Sequence, residues 1–282
     1  MGTIDLYLSW GIIYAYALLT IMLLTAFVFN KERLLGWTVY ILVPAFVVHT
    51  AVFFLRWYWF GYFPANGKYE NGVTSGWFAI LLTVYLFLRN KGLRGVGLIT
   101  VPGTLLALGY GIMVDPRGAE VHIASLKSSW LIIHVLFAQL AFGAYLVASG
   151  LGLLYILKDN KGRRSEASPF YDRFPKLPVI EEVMFKFVVY GFIADAIMIA
   201  AGSIWAKDLW GSYWSWDPVE VWSLVSWLIY GVTIHFRVSL GWRGRALAWI
   251  LIFAVFGIVV TYWGVDAFVK NSLHALGVSG GR

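Results

Sequence analysis

The chain has 282 residues, 60% hydrophobic and 13% charged, with a mean hydropathy of +0.73 and a formal charge of +7. So little polar surface cannot cover an ordinary soluble domain, which excludes one and leaves a polytopic membrane protein. Cysteine is absent, which excludes disulfides, thiol exchange, a Cys nucleophile and thiolate-bound metal within this chain.

About 20 apolar residues span the hydrocarbon core as a helix. Eight such stretches follow one another at 6–29, 37–60, 74–90, 95–113, 129–157, 184–206, 219–238 and 246–268. The predicted fold is therefore all-α, a polytopic membrane protein of about eight transmembrane helices forming one integral-membrane domain over 1–282. The first stretch has neither a basic n-region nor a small-residue cleavage site, so it reads as a retained helix and not as a signal peptide.

Lys and Arg are enriched in cytoplasmic loops. Here they gather in four alternate connections: Lys31 and Arg33; Arg89, Lys91 and Arg94; Lys158, Lys161, Arg163, Arg164, Arg173 and Lys176; Arg237, Arg243 and Arg245. The other connections are poor in basic residues and carry acids such as Glu70, Asp115, Glu120, Asp208, Asp217 and Glu220. Eight spans with both termini on the outer side, periplasmic or lumenal, satisfy this pattern. The positive charge is then an orientation signal with membrane lipid as its partner, and nucleic acid is not expected. The longest inner connection, 158–180, with Pro169, Pro175 and Pro178, reads as a solvated topology anchor and is assigned no chemistry.

Between the sixth and seventh spans, on the predicted outer face, lies the loop 205–222. The run from Trp205 to Trp227 holds six of the 15 tryptophans. Trp is common at membrane interfaces, but the order Trp210, Gly211, Tyr213, Trp214, Trp216, Asp217, Glu220 reads as more than a belt. It suggests a flat aromatic platform with acids at its edge, suited to a large planar ligand.

The topology sorts the five histidines. His134, just inside the outer end of the fifth span, and His274, just beyond the outer end of the eighth, fall at the level of the Trp-rich loop and could meet two faces of one planar ligand. Haem iron takes axial His ligands within an apolar, aromatic shell. His235 sits at the inner end of the seventh span, near Arg237, and His49 lies near mid-membrane in the second span. An ionisable group there is costly and usually functional or paired. His49 is either part of a deeper site or a neutral imidazole bonded to a neighbouring helix, through Thr50 or a backbone carbonyl. His122, in an outer loop, reads as solvated. Asp195 and Gln139 read as interhelical glue, and the Gly-rich run from Gly97 as close helix packing. No Walker, Rossmann or zinc-hydrolase pattern is present.

The segment W-G-S-Y-W-S-W-D-P-V-E resembles the tryptophan-rich WWD signature of haem-handling proteins, and its surroundings resemble the CcsA (ResC) branch of System II cytochrome c biogenesis. S-S-W-L-I-I-H-V with His134 and K-N-S-L-H with His274 are similar to that family's two external haem-ligand segments. W-L-I-Y-G-V-T-I-H-F-R with His235 is similar to its membrane-histidine segment. F-V-V-H-T-A-V-F-F-L-R-W, with His49, and K-Y-E-N, with Glu70, also resemble family positions.

The resemblance implies that His134, His274 and His235 ligate haem iron. It further implies that Trp210, Tyr213, Trp214 and Trp216 pack on the porphyrin and that Asp217 and Glu220 shape the loop or place the acceptor peptide. Haem b would be substrate and ligand, passed to the external site and joined through its vinyl groups to an apocytochrome c Cys-X-X-Cys-His segment, whose thiols this chain lacks. The chain has no long outer domain of the kind found in fused family members, which implies a separate CcsB/ResB-like subunit sharing a cytochrome c synthase (haem lyase) activity. Thiol-reducing thioredoxin-like proteins would be further partners. The implied location is a bacterial cytoplasmic membrane, or a thylakoid membrane in a plastid. No catalytic residue is assigned. Two other readings stay open: a CcmC-like protein that delivers haem to a chaperone, and a haem-free membrane scaffold or transporter in which the tryptophans are only an interfacial belt.

Overall fold

The computed structural model describes residues 4–64, 67–115, 128–164 and 168–261. Among these the structure is helical throughout. In chain order come α1 (Ile4–Val28), α2 (Glu32–Phe60), α3 (Gly67–Arg89), a 3-10 turn (Lys91–Val96) leading directly into α4 (Gly97–Val114), α5 (Ser129–Arg163), the single-turn α6 (Pro169–Asp172), α7 (Leu177–Trp210), α8 (Pro218–Val238) and α9 (Arg245–Val259). Seven segments are long and apolar enough to cross a membrane, the 3-10 turn and α4 counting as one. The expected eighth span corresponds to α9, which has 15 residues before the described region ends shortly beyond it. The chain is an integral membrane protein.

Several helices outrun the apolar stretches that mark them. α3 starts at Gly67, seven residues before its apolar stretch, and α7 runs from Leu177 to Trp210. The physical reason is that backbone hydrogen bonding continues past the hydrocarbon boundary, whereas hydropathy registers only the part that lipid would cover.

α5 is the central helix, packed against α3, α4, α7 and α9. Its middle, from Ala141 to Gly152, is buried on every side, as expected of a helix that is apolar all round. With no hydrophobic driving force between helices in lipid, close backbone approach at small residues provides the packing. A Cβ at Gly72 of α3 would lie 2.6 Å from the Ala107 carbonyl oxygen of α4, and one at Gly150 of α5 would lie 2.5 Å from that of Val96. Of the Gly-rich run, Gly111 meets the backbone of Lys68 in this way, Gly97 and Gly103 meet side chains of Phe87, Leu23 and Leu146, and Gly109 faces open space. α8 is peripheral: only Ser226, Tyr230 and Thr233 are buried.

Polar side chains inside the bundle pair between helices. Gln139 of α5 accepts from Ser75 of α3 (2.5 Å) and donates to Asn71 (2.8 Å). Tyr145 of α5 donates to Asp195 of α7 (3.3 Å) and stacks on Tyr230 of α8 with ring centroids 3.5 Å apart. Asp195 and Gln139 thus act as the expected interhelical glue.

The connection 158–180 departs from the expectation of a solvated anchor. α5 continues through its first residues to Arg163, and α6 with the turn after it brings Phe170, Tyr171 and Phe174 inward, all buried. Phe170 and Phe174 pack on Phe27 of α1 at centroid distances of 5.2 and 5.5 Å. Lys158 donates to the carbonyls of Tyr171 (2.8 Å) and Phe174 (2.7 Å), which fixes the turn. The aromatic residues of this segment gain more from burial than its charges lose, because the charges lie at the rim.

Candidate functional site

The Trp-rich loop is built by two helix ends facing each other. α7 stops at Gly211, a C-cap in the left-handed region (φ 78°) whose N–H bonds to the Lys207 carbonyl, a conformation that glycine adopts without a Cβ penalty. Lys207 also donates its ammonium to the Gly211 carbonyl (2.8 Å) and stands 5.5 Å from the Tyr213 ring centroid. Six residues later α8 begins, with Asp217 as N-cap and Pro218 in its first turn.

The two acids of the motif are occupied by that helix start. The Asp217 carboxylate accepts the Val219 N–H (2.9 Å). Glu220 reaches back to accept the Asp217 N–H (3.2 Å), the Ser215 N–H (2.8 Å) and the Ser215 hydroxyl (3.1 Å). This is a capping box, in which each acid satisfies backbone donors that the helix start leaves unpaired. Asp217 is buried, so the carboxylates shape the loop from within.

The aromatic rings do not form the flat platform expected from the sequence. Trp214 and Trp216 stand edge to face, centroids 5.9 Å apart at 89°, and Trp205 and Trp210 are 5.3 Å apart at 67°. Ring quadrupoles disfavour a face-to-face sandwich, and an edge contact is one of the two arrangements that avoid it. Trp216 itself is in the left-handed region (φ 61°), a strained position for a residue with a Cβ, and its side chain is 74% exposed. Tyr213 is also exposed, while Trp227 belongs to the bundle, stacked on Phe192 at 4.8 Å.

His134 lies in the first turns of α5, half-buried against α7. Its Nδ1 is 2.8 Å from the Met198 carbonyl oxygen. A carbonyl only accepts, so Nδ1 carries the hydrogen and, in the neutral ring, Nε2 keeps the lone pair that a metal needs. His49 is fully buried, with Nε2 2.9 Å from the Val73 carbonyl oxygen and Nδ1 3.0 Å from the Tyr16 hydroxyl. By the same reasoning Nε2 donates and Nδ1 accepts. Thr50 is not its partner, since that hydroxyl donates to the Phe46 carbonyl (2.8 Å) and accepts from Trp77 Nε1 (2.9 Å). His235 is exposed near the C-terminal end of α8, the end opposite the Trp-rich loop. His274 and His122 lie outside the described residues.

One buried cluster was not legible as a cluster. Arg56 of α2 pairs with Asp5 of α1 and with Glu70 of α3 (2.8 Å), and its guanidinium lies 4.8 and 4.6 Å from the ring centroids of Phe60 and Tyr69. Tyr69 in turn shares a 2.7 Å hydrogen bond with Ser9. The arginine and the glutamate stand in the two segments F-V-V-H-T-A-V-F-F-L-R-W and K-Y-E-N, but their pairing is a tertiary fact. Among the described residues no three His, Asp or Glu side chains converge to hold a bare metal ion. A haem iron asks for less, since the porphyrin supplies four of its ligands and the protein one or two.

A model of the family described as "Cytochrome C assembly protein" matches residues 68–274. The cytochrome c biogenesis protein CcsA of Trieres chinensis is 30% identical over 269 residues, covering 83% of this chain and 85% of that protein. CcsA of Synechococcus sp. (strain CC9311) is 29% identical, covering 94% and 96%. Among solved structures, the cytochrome c haem lyase CcmF superposes with a TM-score of 0.68 at 18% identity, over 99% of this chain and 50% of that one. This last likeness is one of fold, and this chain spans half the length of that structure.

Proposed function

This chain belongs to the cytochrome c assembly protein family, and from that premise we propose that it takes part in cytochrome c biogenesis by holding haem b at the Trp-rich loop and presenting it for covalent attachment to an apocytochrome c. The observation that carries the reading is the anchoring of His134: its Nδ1 lies 2.8 Å from the Met198 carbonyl oxygen, the kind of backbone partner that orients a ligating imidazole, and Nε2 is the metal-binding nitrogen in this reading. His274 is the second axial ligand in this proposal, and Trp210, Tyr213, Trp214 and Trp216 supply the aromatic contacts to the ring.

Attachment adds an S–H of the acceptor across each haem vinyl group: a C–S bond forms at one carbon and the hydrogen goes to the other. No external oxidant or reductant is consumed. The chain's part is positioning, which can supply a large share of such a barrier; the acceptor's own His displaces one axial ligand and releases the product. Asp217 and Glu220 hold the loop in shape. His235, exposed on a peripheral helix, is the ligand of a second, inner site completed by a CcsB/ResB-like subunit, and thioredoxin-like proteins keep the acceptor thiols reduced. His49 belongs to the haem pathway only if iron displaces Tyr16 or Val73 from its ring. The active face is outward, in a bacterial cytoplasmic or thylakoid membrane.

An absorption spectrum of the detergent-purified chain tests this, as isolated and after dithionite, for wild type, His134→Ala, His274→Ala and His235→Ala. A Soret band with sharp reduced α and β bands, weakened by the two outer substitutions, is expected. Wild type without haem, even with a ResB-like partner co-expressed, would overturn the proposal.

A further inference from the structure

We propose that α7 carries a purpose-shaped seat for His134, made by the Met198 carbonyl and by the missing side chain of Gly202, so that Gly202 is a positioning residue for iron binding. This rests on the reading of His134 as an axial ligand.

In an α-helix the carbonyl of Met198 is the acceptor for the N–H four residues on, at Gly202. Helical Cβ atoms lean toward the N-terminus, so the Cβ of that same residue is the one that would screen the carbonyl from the side. Gly202 has none, and the imidazole fills the place: a Cβ there would lie 2.5 Å from His134 Nδ1 and 2.8 Å from Cε1. The carbonyl has two lone pairs, one for the helix and one for Nδ1–H, and the 2.8 Å contact uses the second.

The device occurs twice along the same helix pair. Tyr145, eleven residues after His134 on α5, sits in the gap of Gly191, eleven residues before Gly202 on α7, where a Cβ would lie 2.6 Å from its ring. Tyr145 closes its seat through the Asp195 carboxylate (3.3 Å), and His134 closes its own through backbone. The antiparallel register is thus pinned by two rings in two glycine gaps. A carboxylate partner would demand its own neutralisation, whereas a backbone carbonyl orients the imidazole without adding charge. Glycine inside a helix is otherwise disfavoured relative to alanine, so helix propensity does not account for it here. Donation from Nδ1 raises the basicity of Nε2 and fixes the plane in which it meets the iron.

The test compares wild type, Gly202→Ala, and Gly109→Ala as a control where a Cβ meets nothing within 4 Å, by haem titration and by the reduction potential of the bound haem. Gly202→Ala is expected to weaken haem binding by about tenfold or more and to shift the potential upward, with the control unchanged. A second arm keeps Gly202 and so keeps the packing: His134→Gly is supplied with imidazole or with 1-methylimidazole, which ligates iron but has no N–H to donate. Imidazole is expected to restore the wild-type potential and 1-methylimidazole to leave it higher. Equal potentials with both, or a Gly202→Ala protein identical to wild type, would overturn the seat. His134→Ala with an unaltered haem spectrum would instead overturn the ligand reading on which it rests.

Discussion

Replacing Glu220 by Ala separates two roles open to the acids of the Trp-rich motif: shaping the loop and touching the acceptor. The carboxylate accepts two backbone N–H groups, of Ser215 and Asp217, and the Ser215 hydroxyl. The loop is exposed at Ser215, so its two freed donors turn to water without the full desolvation penalty, whereas the Asp217 N–H is part-buried and is compensated less. Each lost bond then costs about 1 kcal/mol, and the capping box as a unit about 2 kcal/mol. At about 1.4 kcal/mol per factor of ten, that is roughly a 30-fold rise in local opening. Amide hydrogen exchange of the haem-free protein in detergent is the assay. Ser215 and Asp217 should exchange about 30-fold faster, with α3 and α5 unaffected, and Glu220→Gln, which keeps one carbonyl acceptor, should fall between. Haem retention should decline in step with loop protection. If exchange at residues 215–219 were unchanged while attachment to cytochrome failed, the carboxylate would be acting on the acceptor and the loop-shaping account would be wrong.

The remaining predictions concern buried groups and one strained residue. Arg56→Met leaves the buried carboxylates of Asp5 and Glu70 without their cation and should destabilise the protein by about 3 to 5 kcal/mol; thermal unfolding in detergent measures this, Glu70→Gln in the same background should recover part, and an unchanged midpoint would refute the triad. Tyr16→Phe removes the hydroxyl from His49 Nδ1 and should cost about 1 to 3 kcal/mol by orphaning a buried acceptor, with haem content unaltered. Haem loss in that variant at unchanged stability would move His49 from structure to ligand binding. Trp216→Gly relieves a left-handed residue, a strain of about 1 kcal/mol, so haem affinity should fall with no drop in unfolding midpoint. A lowered midpoint with intact affinity would contradict the placement of that indole.

The spans, the membrane setting and the family were legible along the chain because each is a local property. Seven apolar helices follow from runs of apolar residues long enough to cover the hydrocarbon, and the Trp-rich signature is a fixed order of neighbours. The D-P-V-E order is likewise an N-cap signature, so the role of Asp217 and Glu220 in starting α8 was there to be read; weighing their charge above their spacing turns them into a platform edge. Ring orientation was not legible, since the 89° between Trp214 and Trp216 depends on one left-handed residue between the loop and α8. Nor was the inward turn of Phe170 and Phe174, which requires Phe27 from another helix.

What only the tertiary structure decided is which polar groups meet. Arg56 finds Asp5 across 51 residues, and Gln139 finds Ser75 and His134 finds Met198 across 64 each. A sequence fixes the angular position of a side chain on its own helix, but the depth and rotation of one helix against another come from interlocking small residues at the crossing. The glycines that let α5 and α7 approach also make room for a ring, and at Gly202 that ring reaches the Met198 carbonyl. Composition therefore determined that this is a membrane protein with an aromatic loop, while packing determined that His134 turns Nδ1 to the Met198 carbonyl and that His49 has both nitrogens engaged.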